Sequence, residues 1–303
     1  MALGQRISEG LTRRVLGVNV RGALAGLQES IDRVEDEQAR IGALAELLEL
    51  RRVAELEQRR IERDDIAGLR TQLERVRTTK AYELALAERE PLVTVRIPAW
   101  RKTGELLNVA IASVLAQTYE RWEIIVVNDG PNPDTRAAIA ALGDSRIRYE
   151  EFAEQNRYPA DPHLRWMVAG SPGMNRGAEL AKGTWIAPLD DDDEFSPDHI
   201  EKLVTLAVES RAELAYGALV QKHLTRGTEN IVWSNPPAVS QFSFMGAIYL
   251  RELGFFRYDE ASWMVQEPGD WNLIRRMTEA GVRMASTTDV VGTMYSVAYA
   301  SKE

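Results

Sequence analysis

Five consecutive acids, Asp190-Asp191-Asp192-Asp193-Glu194, follow directly on the apolar segment Trp185-Ile186-Ala187-Pro188-Leu189. Inside a core these carboxylates would repel one another and carry a large desolvation cost. At the carboxyl edge of a sheet, where α/β proteins place their ligands, the same acids suit a hard divalent cation that prefers oxygen. A metal-assisted site for a phosphate-bearing substrate is therefore the first expectation. The simpler alternative is a solvated helix start, because Ser196-Pro197-Asp198 has the form of a cap and first turn, and Asp193 and Glu194 fit that reading. An EF-hand loop fits poorly, because the Gly required at its sixth position is missing.

The elements that would present these acids alternate in type from Pro91 onward. Leu92–Ile97 reads as a strand stopped by Pro98, Glu105–Gln117 as an amphipathic helix, and Trp122–Val127 as an almost unbroken apolar strand. Such a strand belongs in a parallel sheet covered on both faces. Helices over Thr135–Leu142, Met174–Ala181 and Pro197–Glu209 alternate with strands over Ile147–Tyr149 and Thr184–Leu189. The series implies βαβ units. Beyond about residue 215 the pattern is mixed and no element stands out.

The first 89 residues have a different texture. Between Gly22 and Glu88 there is no proline, and Leu27, Ile31, Val34, Ile41, Leu44 and Leu48 recur at helical steps, as do Ile66, Leu69, Leu73 and Val76. The register is broken by Gln38 and Arg52, so a helical hairpin or oligomerisation segment fits better than one perfect zipper. Asp64-Asp65 and Gly68 are the expected break points. Residues 1–21, with Arg6, Arg13, Arg14 and Arg21 among apolar residues, read as a bundle helix or loose terminus, with a membrane-surface helix as the alternative. The expected domains are 1–89, helical, and 90–303, α/β, the latter divided at 214/215.

Composition narrows the function. The 303 residues carry 45% hydrophobic and 27% charged residues with a net charge of −9, which speaks against bulk nucleic-acid binding. Without cysteine there is no disulfide, zinc–thiolate site or thiol nucleophile. No apolar run approaches the roughly 20 residues of a membrane span. A cytoplasmic protein, or one peripheral at the inner face of the membrane, is expected. His163, His199 and His223 form no metal pair by spacing.

Three strand ends carry polar residues that would meet at one edge: Pro98-Ala99-Trp100, Asn128-Asp129-Gly130 and the acidic run. Together with MNRGAELAKGTWIAPLDDDDEFSPDHIEKL and EPGDWNLIRRMTEAG, the segments VTVRIPAW and IASVLAQTYERWEIIVVNDGPNPDT make the chain resemble glycosyltransferase family 2, nucleotide-sugar transferases of the GT-A fold. The resemblance covers roughly residues 92–295. It implies a mostly parallel Rossmann-like sheet flanked by helices, behind the helical segment. It also implies donor contacts from Pro98, Ala99, Trp100, Asn128, Asp129, Arg176, Asp190 and Asp191. Asp190 and Asp192 match the family's Asp-x-Asp element, with Asp192 the foremost ligand for Mn²⁺ or Mg²⁺ bridging the donor phosphates. Asp270 matches the family's catalytic base, though Gly269 stands where a Glu is usual and Glu267 lies three residues earlier. Asp270 could equally cap the helix that follows.

The expectation is metal-dependent, inverting transfer of one sugar from a nucleotide diphosphate sugar, a UDP-sugar favoured, to an acceptor hydroxyl. The absence of a Gln-x-x-Arg-Trp element favours single-sugar transfer. The alternatives are a sugar nucleotidyltransferase, for which Pro98-Ala99-Trp100-Arg101-Lys102 is poor in glycine, and a coiled-coil scaffold with a degenerate transferase domain. A homo-oligomer through the N-terminal helices is the expected assembly.

Overall fold

A computed structural model describes residues 20–296. The arginine-rich stretch over residues 1–19 lies outside the described residues, and with it the expectation of a bundle or membrane-surface helix there. The chain divides into two units between Ile61 and Glu62.

In the first unit, helix α1 (Val20–Arg63) runs 44 residues without interruption. Its described side chains are almost all exposed, including Leu27, Ile31, Val34, Ile41, Leu44 and Leu48. The polar positions carry intrahelical pairs three or four residues apart, such as Arg52–Glu49 and Arg51–Glu55, which support a helix locally. The helix ends at Asp64-Asp65, where both expected break signals act together. Asp65 caps helix α2 (Ile66–Arg77) by accepting the Gly68 N–H at 2.9 Å. A Cβ at residue 68 would lie 2.0 Å from that carboxylate, so glycine leaves room for the cap.

The second unit begins at Glu62, not at the change of texture near residue 90. Helices α2 and α3 (Lys80–Ala87) read as part of the helical segment, but their apolar faces belong to the core of the α/β unit: Leu73, Tyr82, Ala85 and Leu86 are buried in it. A buried carboxylate fastens them. Glu213 is fully buried and accepts two hydrogen bonds from Arg77 at 2.7 Å, the Tyr82 hydroxyl, and the Arg283 N–H at 2.7 Å. Burial alone would raise its pKa. The hydrogen bonds from Arg77 and Tyr82 outweigh burial and hold it below the usual glutamate value.

The sheet has the order β3-β2-β1-β4-β8-β6-β9-β5, with β7 beside β6. Strands β1 (Val93–Ala99), β2 (Trp122–Asn128), β3 (Ile147–Glu151) and β4 (Trp185–Pro188) are parallel. On the other side, β8 (Ala247–Leu250) pairs antiparallel with both β4 and β6 (Leu214–His223). Strand β6 runs parallel to β9 (Met284–Ser296), and β9 pairs with β5 (Glu194–Phe195). A hairpin partner, β7 (Thr228–Val232), completes the sheet. Helical segments cover the sheet: α4 (103–115, with a π-helical turn at Leu106–Ile111), α5 (Pro133–Leu142), α6 (Pro162–Val168), α7 (Ser171–Leu180), α8 (His199–Ser210) and α9 (Gly269–Ala280).

Strand order reverses between β1 and β4, and that switch point is where open α/β sheets form a crevice. The local cause is visible in the register. Strand β1 pairs with β2 as far as Ala99–Asn128, but with β4 only to Arg96–Pro188. Pro98 is therefore inside β1, not after its end as expected. Its missing N–H falls on the side where β4 has already departed, so no ladder bond is lost.

Two expectations follow from this packing. Arg77→Met leaves the Glu213 carboxylate buried with fewer donors, and urea unfolding should show a loss of about 2–3 kcal/mol, the scale of hydrogen bonds to a charged group. Arg40→Ala, on the exposed face of α1, should leave the midpoint unchanged. His199 is buried, donates from Nδ1 to the Val291 carbonyl at 2.8 Å, and stacks on Phe195. Burial pushes its pKa down from 6.5 to about 4. The unfolded chain then binds the extra proton first, so stability falls as pH drops from 6.5 towards 4. His199→Gln should flatten the melting-temperature profile across that window.

Candidate active site

The three polar strand ends do meet at the crevice. The Asp129 N–H donates to the Ala99 carbonyl at 2.9 Å, joining the ends of β2 and β1. The Trp100 N–H donates to Asp191 Oδ2 at 2.9 Å, joining the end of β1 to the acidic loop. Lys102 sits over the same loop, paired with Asp192 and 3.7 Å from Asp191. Pro98, Ala99 and Trp100 at the end of β1 thus stand beside the acidic loop.

Asp129 is 8% exposed, and its carboxylate accepts from the Asn156 N–H at 3.1 Å and the Tyr158 hydroxyl at 2.9 Å. The segment after β3 therefore folds over the end of β2. Asn128 is buried and turns its amide to the Gly130 carbonyl at 2.7 Å, which shapes the turn. Arg176 is engaged on the outer face of α7, 3.3 Å from both Glu150 and Glu179. In the same Asn175-Arg176-Gly177 motif it is Asn175 that reaches inward. It clasps the backbone of Tyr258, accepting its N–H at 2.9 Å and donating to its carbonyl at 3.0 Å.

Asp270 lies in the first turn of α9 but does not cap it; the cap position is Pro268. Its carboxylate reaches across to the start of β8. Oδ2 accepts from Ser243 Oγ at 2.8 Å and the Phe244 N–H at 3.0 Å, and Oδ1 accepts from the Tyr258 hydroxyl at 2.9 Å. Glu267 is turned away from it. Its carboxylate binds Arg275 at 2.7 and 2.9 Å and Asn272 at 2.7 Å, while Arg275 also pairs with Asp64 at 2.7 Å. That buried network fixes the loop entering α9, so Glu267 positions the helix that carries Asp270.

The electrostatics of the crevice are dominated by like charge. Burial, then the carboxylates of Asp270, Asp192 and Asp191, push Asp190 up to about 7. Burial pushes Asp191 up to about 6, and burial with the Asp190 charge pushes Asp193 up to about 9. Asp193 and Glu194 are no helix cap either. They hold β9, Asp193 accepting the Tyr295 N–H at 2.8 Å and Glu194 the Tyr295 hydroxyl at 2.7 Å.

The donor set fits a hard cation, since Asp190 and Asp192 offer only carboxylate oxygen. Among the described residues no three acids or histidines converge as a preformed cage. An ion held by two carboxylates would complete its shell from substrate phosphates and water, as Mg²⁺ commonly does. His223 takes no part, being bonded to Asn230 at 2.9 Å and Ser296 at 2.7 Å. Tyr258, Ser243 and Asn175 are the site residues that motif reading passed over. Nothing in their spacing points to Asp270, which Tyr258 and Ser243 reach, and Asn175 supports through the Tyr258 backbone, only after tertiary packing.

The sequence matches Glycosyl transferase family 2 over residues 94–161 and 163–288. A succinoglycan biosynthesis protein of Rhizobium meliloti, ExoO, is 31% identical over 128 residues, covering 42% of this chain and 33% of the relative. The Escherichia coli UDP-Glc:alpha-D-GlcNAc-diphosphoundecaprenol beta-1,3-glucosyltransferase WfgD is 28% identical over 129 residues, covering 42% of this chain and 45% of the relative. The chain thus spans less than half the length of these curated relatives. Among solved structures, S. aureus TarS 1–349 in complex with UDP-GlcNAc aligns with a TM-score of 0.52 at 13% identity, covering 67% of this chain and 58% of that one. That likeness shows the fold, a GT-A-like mixed α/β sheet with helices. With its match extending over more than half its length, the chain belongs to glycosyl transferase family 2, a family of sugar-transferring enzymes.

Proposed function

We propose that this protein transfers a single sugar from a UDP-sugar to an acceptor hydroxyl, with inversion at the anomeric carbon and with Mn²⁺ or Mg²⁺. The observation that carries the reading is the Asp270 carboxylate, held by Tyr258, Ser243 and Phe244 within electrostatic reach of Asp190. Two donors occupy Oδ2 and one occupies Oδ1. Each carboxylate oxygen has two lone pairs, so Oδ1 keeps one for the acceptor O–H. A base so fixed takes the proton as the acceptor oxygen attacks the anomeric carbon. The diphosphate leaves from the opposite face, towards Asp190 and Asp192. A cation bound there would neutralise charge on the departing diphosphate.

The uridine donor is supported by TarS, crystallised with UDP-GlcNAc, and by the UDP-Glc named for the Escherichia coli relative. The base and ribose fall to the wall built by Pro98, Ala99, Trp100, Asn128 and Asp129. Lys102 neutralises Asp191 and Asp192 until donor and cation arrive. The acceptor belongs to glycan assembly, as in the relatives named above.

The exposed apolar row of α1 supports self-association through a coiled coil. No helix among the described residues is long and apolar enough to cross a membrane, in keeping with a cytoplasmic or membrane-peripheral enzyme.

Calorimetry against UDP-, GDP- and dTDP-sugars should give binding of one UDP-sugar only with Mn²⁺ or Mg²⁺ present, and Asp192→Ala should lose it. Asp270→Asn should keep donor binding while lowering nucleoside diphosphate release by about a hundredfold or more. Binding of no donor by the folded protein would sink the reading. Leu44→Glu with Leu48→Glu in the full chain should lower the mass seen by sedimentation to that of a monomer. An unchanged mass would remove the coiled-coil assembly.

A further inference from the structure

Strand β1 carries a cation where an apolar residue would be expected. Arg96 lies mid-strand, is 1% exposed, and is flanked in sequence by the buried Val95 and Ile97. Helix α7 passes directly over it at Gly177, where a Cβ would come within 3.0 Å of Arg96 Cβ. An Arg in a central strand is costly to bury, and at such a position it normally meets a carboxylate. Here its guanidinium lies 5.1 Å from the Tyr258 ring centre and donates through Nη2 to the Tyr258 hydroxyl oxygen at 3.2 Å, with the Tyr249 hydroxyl as its second neighbour. Its Nε is buried with no hydrogen-bond partner.

The consequence lies in proton direction. A guanidinium has donors and no acceptor, and a tyrosine hydroxyl has one proton. With Arg96 donating to the hydroxyl oxygen, that proton cannot point back at Arg96. The acceptor left to it is Asp270 Oδ1, 2.9 Å away. Asn175 holds the Tyr258 backbone at both its N–H and its carbonyl, and the Tyr258 ring is buried. The hydroxyl rotor is the remaining freedom, and Arg96 settles it.

We infer that Arg96 is a positioning residue for sugar transfer: it orients the Tyr258 hydroxyl so that Asp270 is held with one Oδ1 lone pair facing the acceptor. The inference rests on the base role of Asp270. It gives a buried charge on β1 a part in the chemistry, exerted through the Tyr258 hydroxyl.

The test follows release of UDP from UDP-glucose and UDP-GlcNAc with Mn²⁺, water serving as acceptor. Arg96→Gln puts an amide oxygen where the guanidinium was, so the Tyr258 proton has a second acceptor. It should lower kcat about tenfold while the donor KM stays within about threefold. Arg96→Lys, again donor-only, should recover most of the rate. Tyr258→Phe should match Arg96→Gln, and the double variant should be no slower than Tyr258→Phe alone. A full rate in Arg96→Gln, or losses that multiply in the double variant, would overturn the inference. Asp270→Asn separates the two claims: if it retains the wild-type rate, the base role itself fails. A crystal structure of Arg96→Gln supplies a readout without turnover. The Asp270 carboxylate should have rotated off Tyr258, and one still hydrogen-bonded to that hydroxyl as in the wild type would overturn the proposal.

Discussion

The governing constraint is the concentration of carboxylates at one sheet edge. Asp190, Asp191, Asp192, Asp193 and Asp270 gather around the crevice with Lys102 and Arg96 as the cations in reach. Burial and like charge raise the pKa values of Asp190, Asp191 and Asp193, and such a cluster would destabilise the fold if left bare. The structure handles them unequally. Asp191 and Asp193 are given backbone N–H partners and stitch the acidic loop to Trp100 and to Tyr295. Asp192 is covered by Lys102. Asp190 has burial and neighbouring negative charge around it, the environment that a divalent cation relieves most.

Holding that cluster in place demands a rigid frame, and the frame is made by buried ion pairs at the back of the unit. Glu213 ties α2 and α3 to the sheet through Arg77 and Tyr82. Arg275, with Asp64, Glu267 and Glu279, ties the start of α2 to α9 and to the loop in front of Asp270. Such pairs add little net stability compared with well-packed apolar residues, but breaking one leaves a buried charge exposed to no partner. They therefore specify geometry. The helix bearing Asp270 is fixed at its root by one network and at its carboxylate by another.

The parallel half of the fold and the acidic loop were legible because their signals are local. An apolar strand such as Trp122–Asn128 and five acids after Trp185–Pro188 need no partner to be recognised. The motif around Asp270 singled that residue out, but its hydrogen-bond partners carried no signal. Ser243, Phe244 and Tyr258 come from a 3₁₀ turn and a loop with no periodicity, and they meet Asp270 only after folding. The strands of the second half were hidden for a related reason. Strand β9 is polar along much of its length and half-exposed, so neither alternation nor an apolar run marks it. The boundary near residue 90 misled because α2 and α3 share the helical texture of α1, while Leu73 and Tyr82 pack into the α/β core. Texture reports secondary structure; only burial reports which unit a helix joins.

The base and the leaving-group site impose opposite electrostatic demands in the proposed reaction. The diphosphate end needs positive charge, yet a strong cation near Asp270 would weaken it as a proton acceptor. The structure separates the two by hydrogen bonding. In that proposal Asp190 and Asp192 serve the donor end, whereas Asp270 is bound by three neutral donors, two hydroxyls and one backbone N–H. Arg96, a permanent cation behind it, reaches Asp270 through the Tyr258 hydroxyl and makes no direct ion pair with it. A direct guanidinium–carboxylate pair would hold the base more firmly but would lower its basicity. A tyrosine between them fixes direction while sparing the carboxylate a direct ion pair.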